Sequence, residues 1–600
     1  MNAALVSSKR FVVSEQDFQN LINEGSLESL IEFRFFDPSV STEIENAYVE
    51  NGLEANGPPA ITHSIFKVIN LITDGIFIAL LMMISLFIVG ISLLCVRFTI
   101  VAKIEEEYKE IGILKAIGMN SKKIGKIYLS KYVFLAGVSS LVGYLLSFIL
   151  KRPFIKNIEL AMGKGDGPFL GIILGALGST IVFLIVYLYI KSALRKFKKI
   201  SPAQALRFGA PISKKKVGGL STLLLNVLDE NKYIGIKDLI FDRRIYFTMA
   251  LVLVLSVFLI LVPMNMYNTI EDRSFMGYLG VGDYDVRIDV SQRDDIEEKA
   301  TEILNEIYTD GRISDTNLLI SRMLDVELES GKIEKLKVEF GNHEKFKVNY
   351  LEGKPPIRDD EIALSNMIAK DLEVEYGSKI NLLINGEKKP MKVSGIYSDI
   401  TNGGKTAKAA FETNAGKVLW GVVSISAKEK EKSYEILEDY KSNYPYAKVS
   451  DTKEYINQVF GSTILSVGNV AKISAVVTLI LVFTLTLLFM RMIYFKNRRE
   501  VALLKALGFK NGDIHKQYIF KVLIIIVASC AIGIILANTL GELIGSKILS
   551  LFGAVGINFI SNTLISYLLV PLGLLIMVLI ATTLSLRDVK GLKISRFIKE

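Results

Sequence analysis

The chain has 600 residues, of which 50% are hydrophobic and 22% are charged, and its mean hydropathy is +0.38. Such apolar residues must be concentrated in blocks, which excludes both a single soluble globular enzyme and a chain buried wholly in lipid. The 71 Lys and Arg residues outnumber the 62 Asp and Glu residues, and in a membrane protein such an excess reflects cytoplasmic anchoring charge more often than nucleic-acid binding. Two distant cysteines and three scattered histidines exclude a disulfide framework and a Cys/His metal site.

Seven uncharged apolar runs are long enough to cross a bilayer as helices, which takes about 20 residues. The sequence therefore predicts a polytopic α-helical membrane protein. The predicted spans are 72–97, 131–150, 168–190, 246–266, 473–490, 522–541 and 562–586. The last span contains Pro571, which a membrane helix tolerates as a kink.

The distribution of Lys and Arg predicts the orientation of these spans. The connections 98–130, 191–245 and 491–521 and the tail 587–600 are basic, whereas the loop 542–561 has Lys547 alone. Positive loops remain on the cytoplasmic side. The first 70 residues and the segment 267–468 are therefore expected outside, and the C-terminus and a linker at 201–245 are expected inside. The loop 151–167 carries Lys151, Arg152, Lys156 and Lys164, which weakens the bias there without reversing it.

The segment 267–468 is predicted to be a mixed α/β domain. Tyr284, Val286, Ile288 and Val290 alternate with other residues as in a half-buried strand. Ile296, Ala300, Ile303 and Ile307 then recur at helical spacing. Further on, the alternating run 380–384 meets Asn385-Gly386, a pair that accepts the positive φ angles of a hairpin turn. No cluster of carboxylates or nucleophiles is recognisable, so the segment is interpreted as a binding or sensing domain.

The sequence contains an internal repeat with an offset of 390 residues. Residues 110–118 read EIGILKAIG, and residues 500–508 read EVALLKALG. A dozen identities in fewer than forty ungapped positions compare with roughly two or three expected by chance, which indicates a duplication. The identical pairs include Glu110/Glu500, Leu114/Leu504, Lys115/Lys505, Ala116/Ala506, Gly118/Gly508, Ile124/Ile514, Lys126/Lys516, Tyr128/Tyr518, Lys131/Lys521, Ser139/Ser529, Gly143/Gly533 and Leu146/Leu536.

The repeated piece is predicted to be a short amphipathic helix at the inner membrane surface. Ile104, Tyr108, Ile111 and Leu114 fall on one helical face. Gly118 is placed to end that helix in the left-handed conformation. The next helix would be capped by Ser121 in the first copy and Asn511 in the second, and would continue into a span.

Small residues are expected to matter within that span. Ser139 and Gly143, like Ser529 and Gly533, place small side chains on one helical face and allow close packing of helices. A single surface helix of this kind would be interpreted as floating at the lipid headgroups. Two matching copies indicate a pair of docking elements, and hence a pair of docked partners.

These residues resemble the FtsX-like, MacB-type permease family of ABC transporters. The resemblance is carried by E-[IV]-[GA]-[IL]-L-K-A-[IL]-G between two spans, found in both copies. Residues 351–355 (LEGKP) and 360–365 (DEIALS) resemble the family's periplasmic core, and 199–203 (KISPA) with Leu206-Arg207 resembles the end of a first unit. The resemblance implies FtsX-like transmembrane units at 71–200 and 469–600, a multi-pass location in the bacterial cell membrane, and an extracellular MacB-core-like domain at 267–468.

One departure from the family pattern concerns the beginning of the chain. A family unit has a span, an outer domain and three further spans, whereas the first copy here lacks the opening span. Residues 1–70 are interpreted as the C-terminal remainder of a first outer domain. We expect an N-terminal truncation, because a complete pair of units would have eight spans.

ATP chemistry is expected in another polypeptide. The nearest P-loop candidate is the segment 399–406 (DITNGGKT). It has Asp399 where a P-loop requires glycine, and a P-loop also requires a strand before it and a helix after it. It also lies in the predicted outer domain. The chain is therefore expected to be no enzyme, to have no cofactor of its own and to rely on a separate ATPase.

The resemblance implies the membrane subunit of an ABC transporter, in which an ATPase dimer moves the outer domains by mechanotransmission. The candidate coupling residues are Glu110, Leu114, Lys115, Gly118, Glu500, Leu504, Lys505 and Gly508. Expected substrates are peptides, lipopeptides or lipoproteins, and expected partners are the ATPase, the lipid bilayer and an extracellular peptide, lipoprotein or adaptor, with no nucleic acid. The alternative is a non-transporting regulator that activates cell-wall hydrolases or senses antimicrobial peptides.

Overall fold

The computed structural model describes residues 13–22, 33–37, 40–41, 43–44, 47, 63–152, 168–195, 201–203, 205, 230–291, 293–327, 333–346, 348–399, 401–404, 406–551 and 553–587. These residues fall into two compact units. An α/β unit draws on Met1–Ile78, Tyr267–Val467 and Ile544–Ile560, and a helical unit draws on Ala79–Met266, Gly468–Leu543 and Ser561–Glu600.

The first part of the chain is helical. The helices are α1 (Glu15–Leu21), α2 (His63–Glu106), α3 (Tyr108–Ala116), α4 (Ser121–Leu150), α5 (Pro168–Ala193), α6 (Glu230–Phe241) and α7 (Arg243–Glu271). Helix α6 lies inside the stretch that the sequence predicted to be a linker. It forms there because it has a face to bury: Gly235 and Asp238, one turn apart, are both buried.

The remaining helices lie within and after the α/β domain. They are α8 (Ile296–Tyr308), α9 (Asn366–Asp371), α10 (Ser433–Asn443), α11 (Thr452–Lys496), α12 (Arg498–Ala506), α13 (Asn511–Leu536), α14 (Glu542–Ser550) and α15 (Val570–Ser585). A π-helical turn at Ile565–Leu569 precedes α15, and Pro571 lies at the start of α15. The helix runs on without a break from the π-helical turn into α15, and such a turn is one of the local adjustments by which a membrane helix accommodates a proline.

The described residues include seven helices that are long and apolar enough to cross a membrane, as the sequence predicted. They are Gly75–Glu106, Ser121–Leu150, Phe169–Ala193, Ile245–Glu271, Thr452–Lys496, Asn511–Ser550 and Ile565–Ser585. Several extend beyond the predicted spans, because their polar flanking turns remain helical outside the apolar run.

The α/β domain is built on a ten-stranded mixed sheet. Its strands are β1 (Val286–Ser291), β2 (Ile313–Glu327), β3 (Ile333–Gly341), β4 (Tyr350–Gly353), β5 (Glu361–Ser365), β6 (Lys379–Ile384), β7 (Glu387–Tyr397), β8 (Thr406–Ala409), β9 (Lys417–Ala427) and β10 (Lys448–Asp451). The order is β10-β1-β9-β2-β3-β8-β5-β7-β4, with β6 paired to β2 and β7. Only β3–β8 and β5–β7 are parallel pairs among the described strands.

The structure confirms the sequence predictions for this domain. Strand β1 buries Val286, Ile288 and Val290, and α8 buries every apolar residue of the predicted helical stripe. Strands β6 and β7 form the predicted antiparallel hairpin. Its turn residues Asn385 and Gly386 have φ angles of 52° and 86°, as a type I′ turn requires.

Candidate functional site

The two short helices α3 and α12 are the candidate site, and they are near-identical in structure. Each has nine residues and follows a long apolar helix after a single non-helical residue, Glu107 or Asn497. Over 108–120 and 498–510 the exposure of every residue falls in the same class, position by position. The duplication therefore preserves the surface of this segment as well as its sequence.

Both helices end in the left-handed glycine that the sequence predicted. Gly118 has a φ angle of 93°, and Gly508 has a φ angle of 97°. In the first copy the Gly118 N–H donates to the Lys115 carbonyl at 3.1 Å, and the Met119 N–H donates to the Leu114 carbonyl at 3.0 Å. The second copy repeats both bonds at the equivalent residues. This pair of bonds is a Schellman motif, which turns the chain sharply at the end of a helix.

The caps of the following helices differ from the prediction. Ser121 and Asn511 are the first helical residues of α4 and α13 rather than their caps. The Asn120 side chain caps α4 by accepting from the Lys122 N–H at 3.1 Å. At α13 the Asp513 carboxylate accepts from the Lys510 N–H at 3.1 Å. In both copies the extended backbone of the cap occurs one residue earlier than expected, at Asn120 and Lys510, and only the first copy has a short polar side chain there.

One face of each short helix is buried against the helical unit. Ile111 and Gly112 are the buried residues of α3, and Val501 and Ala502 are those of α12. Ile111 belongs to a core that includes Ile100, Ile104, Ile124, Ile190, Leu194 and Ala205, with Tyr108 and Leu114 packed against it. The apolar face predicted from the sequence is therefore the face that holds α3 in place.

The opposite face exposes aliphatic side chains at identical positions in both copies. Ile113 and Ile117 are 49% and 72% exposed, and their equivalents Leu503 and Leu507 are 58% and 70% exposed. In each copy the two residues are four apart, so they lie on one side of the helix. These four residues were not predicted from the sequence, although an apolar residue on the otherwise charged face was the available signal.

A tyrosine of the following long helix forms a hydrogen bond with the non-helical residue that precedes each short helix. The Tyr128 hydroxyl donates to the Glu107 carboxylate, and Lys103 lies 3.0 Å from that carboxylate. Burial works to raise the pKa of Glu107, but the hydrogen bond from Tyr128 and the Lys103 ammonium together hold it below its ordinary value. Tyr518 and Asn497 form the equivalent side-chain hydrogen bond in the second copy.

The charged residues singled out from the sequence flank the exposed aliphatic pair. Glu110 and Glu500 are exposed, whereas Lys115 and Lys505 are half-buried. Burial lowers the pKa of both lysines in the same way. Leu114 and Leu504 are half-buried on the packed side.

The rejected P-loop candidate has the surroundings of a structural loop. It connects β7 to β8, so a strand rather than a helix follows it. Asp399 is buried and accepts hydrogen bonds from the Thr401 N–H and hydroxyl, both at 2.7 Å, and from the Thr406 hydroxyl at 2.5 Å. Burial raises the pKa of Asp399 to about 6. A buried carboxylate at this place would repel a phosphate.

The loop between α14 and α15 contacts the α/β domain within the α/β unit. The buried Ser398 hydroxyl lies 3.1 Å from the Tyr278 carbonyl and 3.2 Å from the Gly553 carbonyl, and it accepts from the Val555 N–H at 3.3 Å. The Tyr278 hydroxyl donates to the Gly556 carbonyl at 3.3 Å. This loop belongs to the second repeat in sequence, so the repeat has a hydrogen-bonded link to the domain.

Comparison with known families shows that the duplicated segment is a known domain. The model of the FtsX-like permease C-terminal domain matches residues 82–197 and 472–594. The two matches begin 390 residues apart, which is the offset of the internal repeat. A comparison with curated proteins gave no significant match.

Three solved structures are similar to part of the chain. The extracellular domain of the noncanonic ABC-type transporter YknZ from Gram-positive bacteria is 12% identical, with 28% of this chain and 98% of that chain covered and a TM-score of 0.20. The periplasmic region of MacB from Actinobacillus actinomycetemcomitans is 14% identical, with coverages of 30% and 92% and a TM-score of 0.21. A domain of a putative permease protein from Porphyromonas gingivalis is 11% identical, with coverages of 28% and 88% and a TM-score of 0.20.

The domain assignment rests on the duplicated match, the internal repeat and the apolar helices. Each matched stretch contains one of the two short helices, the long helix that follows it and the C-terminal part of the long helix before it. The chain is therefore a multi-pass bacterial membrane protein that carries the FtsX-like permease C-terminal domain twice.

Proposed function

We propose that this permease is the membrane subunit of an ABC transporter of the MacB/FtsX type, and that α3 and α12 are the surfaces on which a separate ATPase dimer acts. ATP would be bound by that partner, and this chain would perform no hydrolysis of its own. Mechanotransmission would then move the α/β domain outside the membrane and act on peptides, lipopeptides or lipoproteins.

The observation that carries this proposal is the duplicated aliphatic pair. Burying a Val-, Leu- or Ile-sized side chain is worth about 1.5–3 kcal/mol, so Ile117 and Leu507, at 72% and 70% exposed, are costly to leave in water. Their charged neighbours Glu110 and Glu500 give each patch a polar rim, as is usual around the apolar centre of a protein interface. Two equivalent patches on one chain suit a partner that itself has two equivalent halves.

The way in which the short helices are held supports a role in force transmission. Each is packed on one face and closed by a Schellman turn, and each is tied to the following helix through Tyr128 or Tyr518. A push on the exposed side would therefore be passed to the long helices instead of being absorbed by a flexible segment.

Two features of the α/β unit support transmission of the motion from the long helices to the α/β domain. Helix α11 begins directly after β10, and Asp451 accepts from the Glu454 N–H at 2.5 Å, which fixes the start of the helix. The loop after α14 is hydrogen-bonded to Ser398 and Tyr278 of the domain. Displacement of the helices of the second repeat would thus reach the domain through both connections.

The test of ATPase docking uses substitutions that separate a protein partner from lipid. Ile117→Glu and Leu507→Glu should each weaken pull-down of the ATPase, and the double variant should abolish it. Ile117→Trp and Leu507→Trp should also weaken it, because tryptophan is too large for a pocket shaped for an aliphatic side chain. Tryptophan is favoured at the membrane interface, so a helix that merely floats on the bilayer would tolerate it.

The matched control is Ile333→Glu, which changes an aliphatic residue of the α/β domain that is 57% exposed. It should leave ATPase pull-down unchanged at equal expression. Normal pull-down by both Trp variants would contradict the docking proposal, and so would ATP hydrolysis by the chain after every co-purifying ATPase has been removed.

The orientation has its own test. In a variant that lacks Cys95 and Cys530, Glu387→Cys should react with a membrane-impermeant thiol reagent in intact cells, whereas Lys109→Cys should react only after lysis. Both positions are exposed, so a difference in labelling reports the side of the membrane. Labelling of Lys109→Cys in intact cells would place α3 outside and remove it from any ATPase.

A further inference from the structure

Helix α13 departs from regular α-helical geometry at the end that is remote from α12. A π-helical turn at Ala537–Gly541 joins α13 to α14 without a break in the helix. Such a turn holds one residue more than an α-helical turn, and it occurs frequently at functional sites. The sequence contains no proline between residues 511 and 550, so a missing backbone N–H does not account for this turn.

Two other helices of the helical unit are irregular as well. Helix α15 follows the π-helical turn at Ile565–Leu569, which accommodates Pro571. Helix α7 contains Pro263 in its interior, where proline removes a helical hydrogen bond and bends the helix. Helices α4 and α5 of the first repeat are α-helical throughout, so these irregularities are not a common property of the repeats.

A cluster of polar side chains connects the three irregular stretches. Asn265 follows Pro263 by two residues, and its side-chain amide donates to the Asn538 side chain at 2.9 Å. The Asn538 amide donates to the Tyr567 hydroxyl at 3.3 Å. The Ser566 hydroxyl donates to the Asn265 side-chain oxygen at 3.5 Å. Asn538 belongs to the first π-helical turn, and Ser566 and Tyr567 belong to the second, so the two turns are hydrogen-bonded to one another and to α7.

This cluster is buried and does not serve solvation. Asn265 and Ser566 are both 0% exposed, although each lies in a helix that is long and apolar enough to span a membrane. Polar side chains inside such helices are expensive and are usually functional. Hydrogen bonds between membrane helices are individually weak, so a link made of three such bonds can hold the helices in one position and still open.

Two glycine contacts with α7 lie on either side of the first π-helical turn. A Cβ added to Gly533 would lie 2.6 Å from the Val257 Cβ, and a Cβ added to Gly541 would lie 2.4 Å from the Val262 Cγ2. Gly533 precedes the turn, and Gly541 is its last residue. The two contacts therefore report separately on the parts of the helix before and after the turn.

We propose that the two π-helical turns form a hinge and that Asn265 is the positioning residue that latches it. Opening of the latch would let the segment between the turns, residues 542–564, tilt as one piece relative to the longer parts of α13 and α15. The inference rests on the proposed function, since the loop between α14 and α15 is hydrogen-bonded to Ser398 and Tyr278 and would be displaced when the hinge bends.

The first experiment asks whether the turn at Ala537–Gly541 is needed for stability, because a turn kept for movement should be dispensable for it. Deletion of Thr539, an exposed residue of the turn, restores α-helical hydrogen bonding and preserves the register on both sides. The thermal unfolding temperature of the purified chain should be unchanged or higher. The matched control is deletion of Ala531, an exposed residue of regular α13, which rotates everything beyond it by about 100° and should lower that temperature.

The second experiment follows the latch by disulfide formation in a chain without its two native cysteines. Val262→Cys with Gly541→Cys reports the contact after the turn, and Val257→Cys with Gly533→Cys is the matched control before it. Asn265→Leu should lower the rate at which the 262–541 disulfide forms by about threefold, which is the equivalent of one average hydrogen bond between membrane helices. It should leave the 257–533 disulfide unchanged.

The same cysteine pairs connect the hinge to the ATPase. In the complex with the ATPase, a slowly hydrolysed ATP analogue should lower formation of the 262–541 disulfide and leave the 257–533 disulfide unchanged. If no ATPase associates with the chain, the proposed function fails, whereas the Thr539 deletion and Asn265→Leu still test the hinge in the purified chain.

Three results would overturn the proposal. One is a loss of stability on deletion of Thr539 as large as that on deletion of Ala531. Another is formation of the 262–541 disulfide at an unchanged rate in Asn265→Leu. The third is an ATP analogue that, in the ATPase complex, changes both disulfides equally or changes neither.

Discussion

The two permease repeats agree in one region and disagree in the next. Over α3 and α12 the fold, the caps and the exposure of each residue coincide, whereas the adjoining helices α4 and α13 have opposite burial on equivalent faces. The short helices derive their structure from the residues immediately around them, which both copies retain. The long helices depend on what packs against them, and α6 and α7 pack against only the second copy among the described residues. Similar sequence therefore preserves local structure but does not preserve environment.

The largest expected effect comes from the lysine pair at the centre of that difference. Lys521→Ala would leave Asp238 buried without its partner, and we expect a loss of about 3–5 kcal/mol in the free energy of unfolding. Lys131→Ala should cost less than about 0.5 kcal/mol in the purified chain, because it changes an exposed residue. Thermal unfolding followed by circular dichroism measures both.

A double variant checks the cause of the Lys521 effect. Lys521→Met with Asp238→Leu should recover most of the lost stability, because an apolar pair of similar size replaces a buried ion pair without an isolated charge. Equal losses for Lys131→Ala and Lys521→Ala would contradict the difference between the repeats.

The α/β domain contains neither of the two short helices, so its free energy of unfolding can be followed separately as a reference. Trp420 is the only tryptophan of the chain, and it lies in β9, so its fluorescence reports unfolding of this domain. Two buried groups there have opposite pH dependence. Burial, followed by the Lys408 charge, lowers the pKa of His343 from 6.5 to about 4. Burial raises the pKa of Asp399 from 3.8 to about 6.

The signs follow from proton linkage. The stability contributed by neutral His343 is complete above pH 6.5 and is lost as the pH falls to about 4. The stability contributed by protonated Asp399 is complete below pH 3.8 and is lost as the pH rises to about 6. Each changes by about 1.4 kcal/mol per pH unit, so the two nearly cancel between about pH 4 and 6.

Replacing either Asp399 or His343 should therefore expose the pH dependence of stability that the other residue contributes. Relative to the parent chain, the free energy of unfolding of Asp399→Asn should fall by about 1.4 kcal/mol per pH unit as the pH falls from 6 to 4. The free energy of unfolding of His343→Gln should rise by about as much over the same range. Variants of Lys131 and Lys521 should leave this profile unchanged, which would separate the domain from the repeats. Parallel profiles for Asp399→Asn and His343→Gln would show that neither group is shifted as described.

A smaller effect tests the packing of the two spans. Gly533→Ala should lower the free energy of unfolding by about 1–3 kcal/mol, because the new methyl group overlaps the Val257 side chain in a packed interface. Gly143→Ala should be neutral or should stabilise α4 by up to about 1 kcal/mol, since alanine is the better helix former and has room. The compensating variant Gly533→Ala with Val257→Ala should regain part of the loss. A penalty at Gly143 as large as that at Gly533 would contradict the open surroundings of Gly143.

The smallest expected effect concerns the region where the repeats agree. Gly118→Val and Gly508→Val should each cost about 1–2 kcal/mol, because a β-branched residue is strained in the left-handed conformation. No atom lies within 4 Å of an added Cβ at either glycine, so the cost is conformational and not steric. Asn variants should cost less, since asparagine tolerates this conformation. Unequal costs in the two copies would contradict their structural identity.

These glycine substitutions also bear on the proposed docking. A strained cap would misplace the exposed aliphatic pair relative to the ATPase, so both Val variants should weaken ATPase pull-down, and the double variant should nearly abolish activity in cells. The Asn variants at equal expression serve as the matched control. Normal pull-down and activity in both Val variants would make α3 and α12 passive surface helices.

The sequence by itself determined the features that depend on short stretches of chain. Seven apolar runs, the β6–β7 turn at Asn385-Gly386 and the left-handed Gly118 and Gly508 follow from length, periodicity and the φ angles that each residue tolerates. The duplicated FtsX-like domain could also be recognised from the sequence, because a motif repeated at a fixed offset needs no tertiary information. The caps at Ser121 and Asn511 were misplaced by one residue, because several polar residues in succession can each serve as a cap.

Only the tertiary structure decided which surfaces are covered. Lys131 and Lys521 are the same residue in the same motif, yet one is exposed and the other is buried beside Asp238, which lies 283 residues earlier than Lys521. Ile117 and Leu507 were missed for the same reason, since an aliphatic residue in an amphipathic helix is normally assigned to the packed face. Burial depends on which distant segments pack against a residue, and a local pattern holds no information about them.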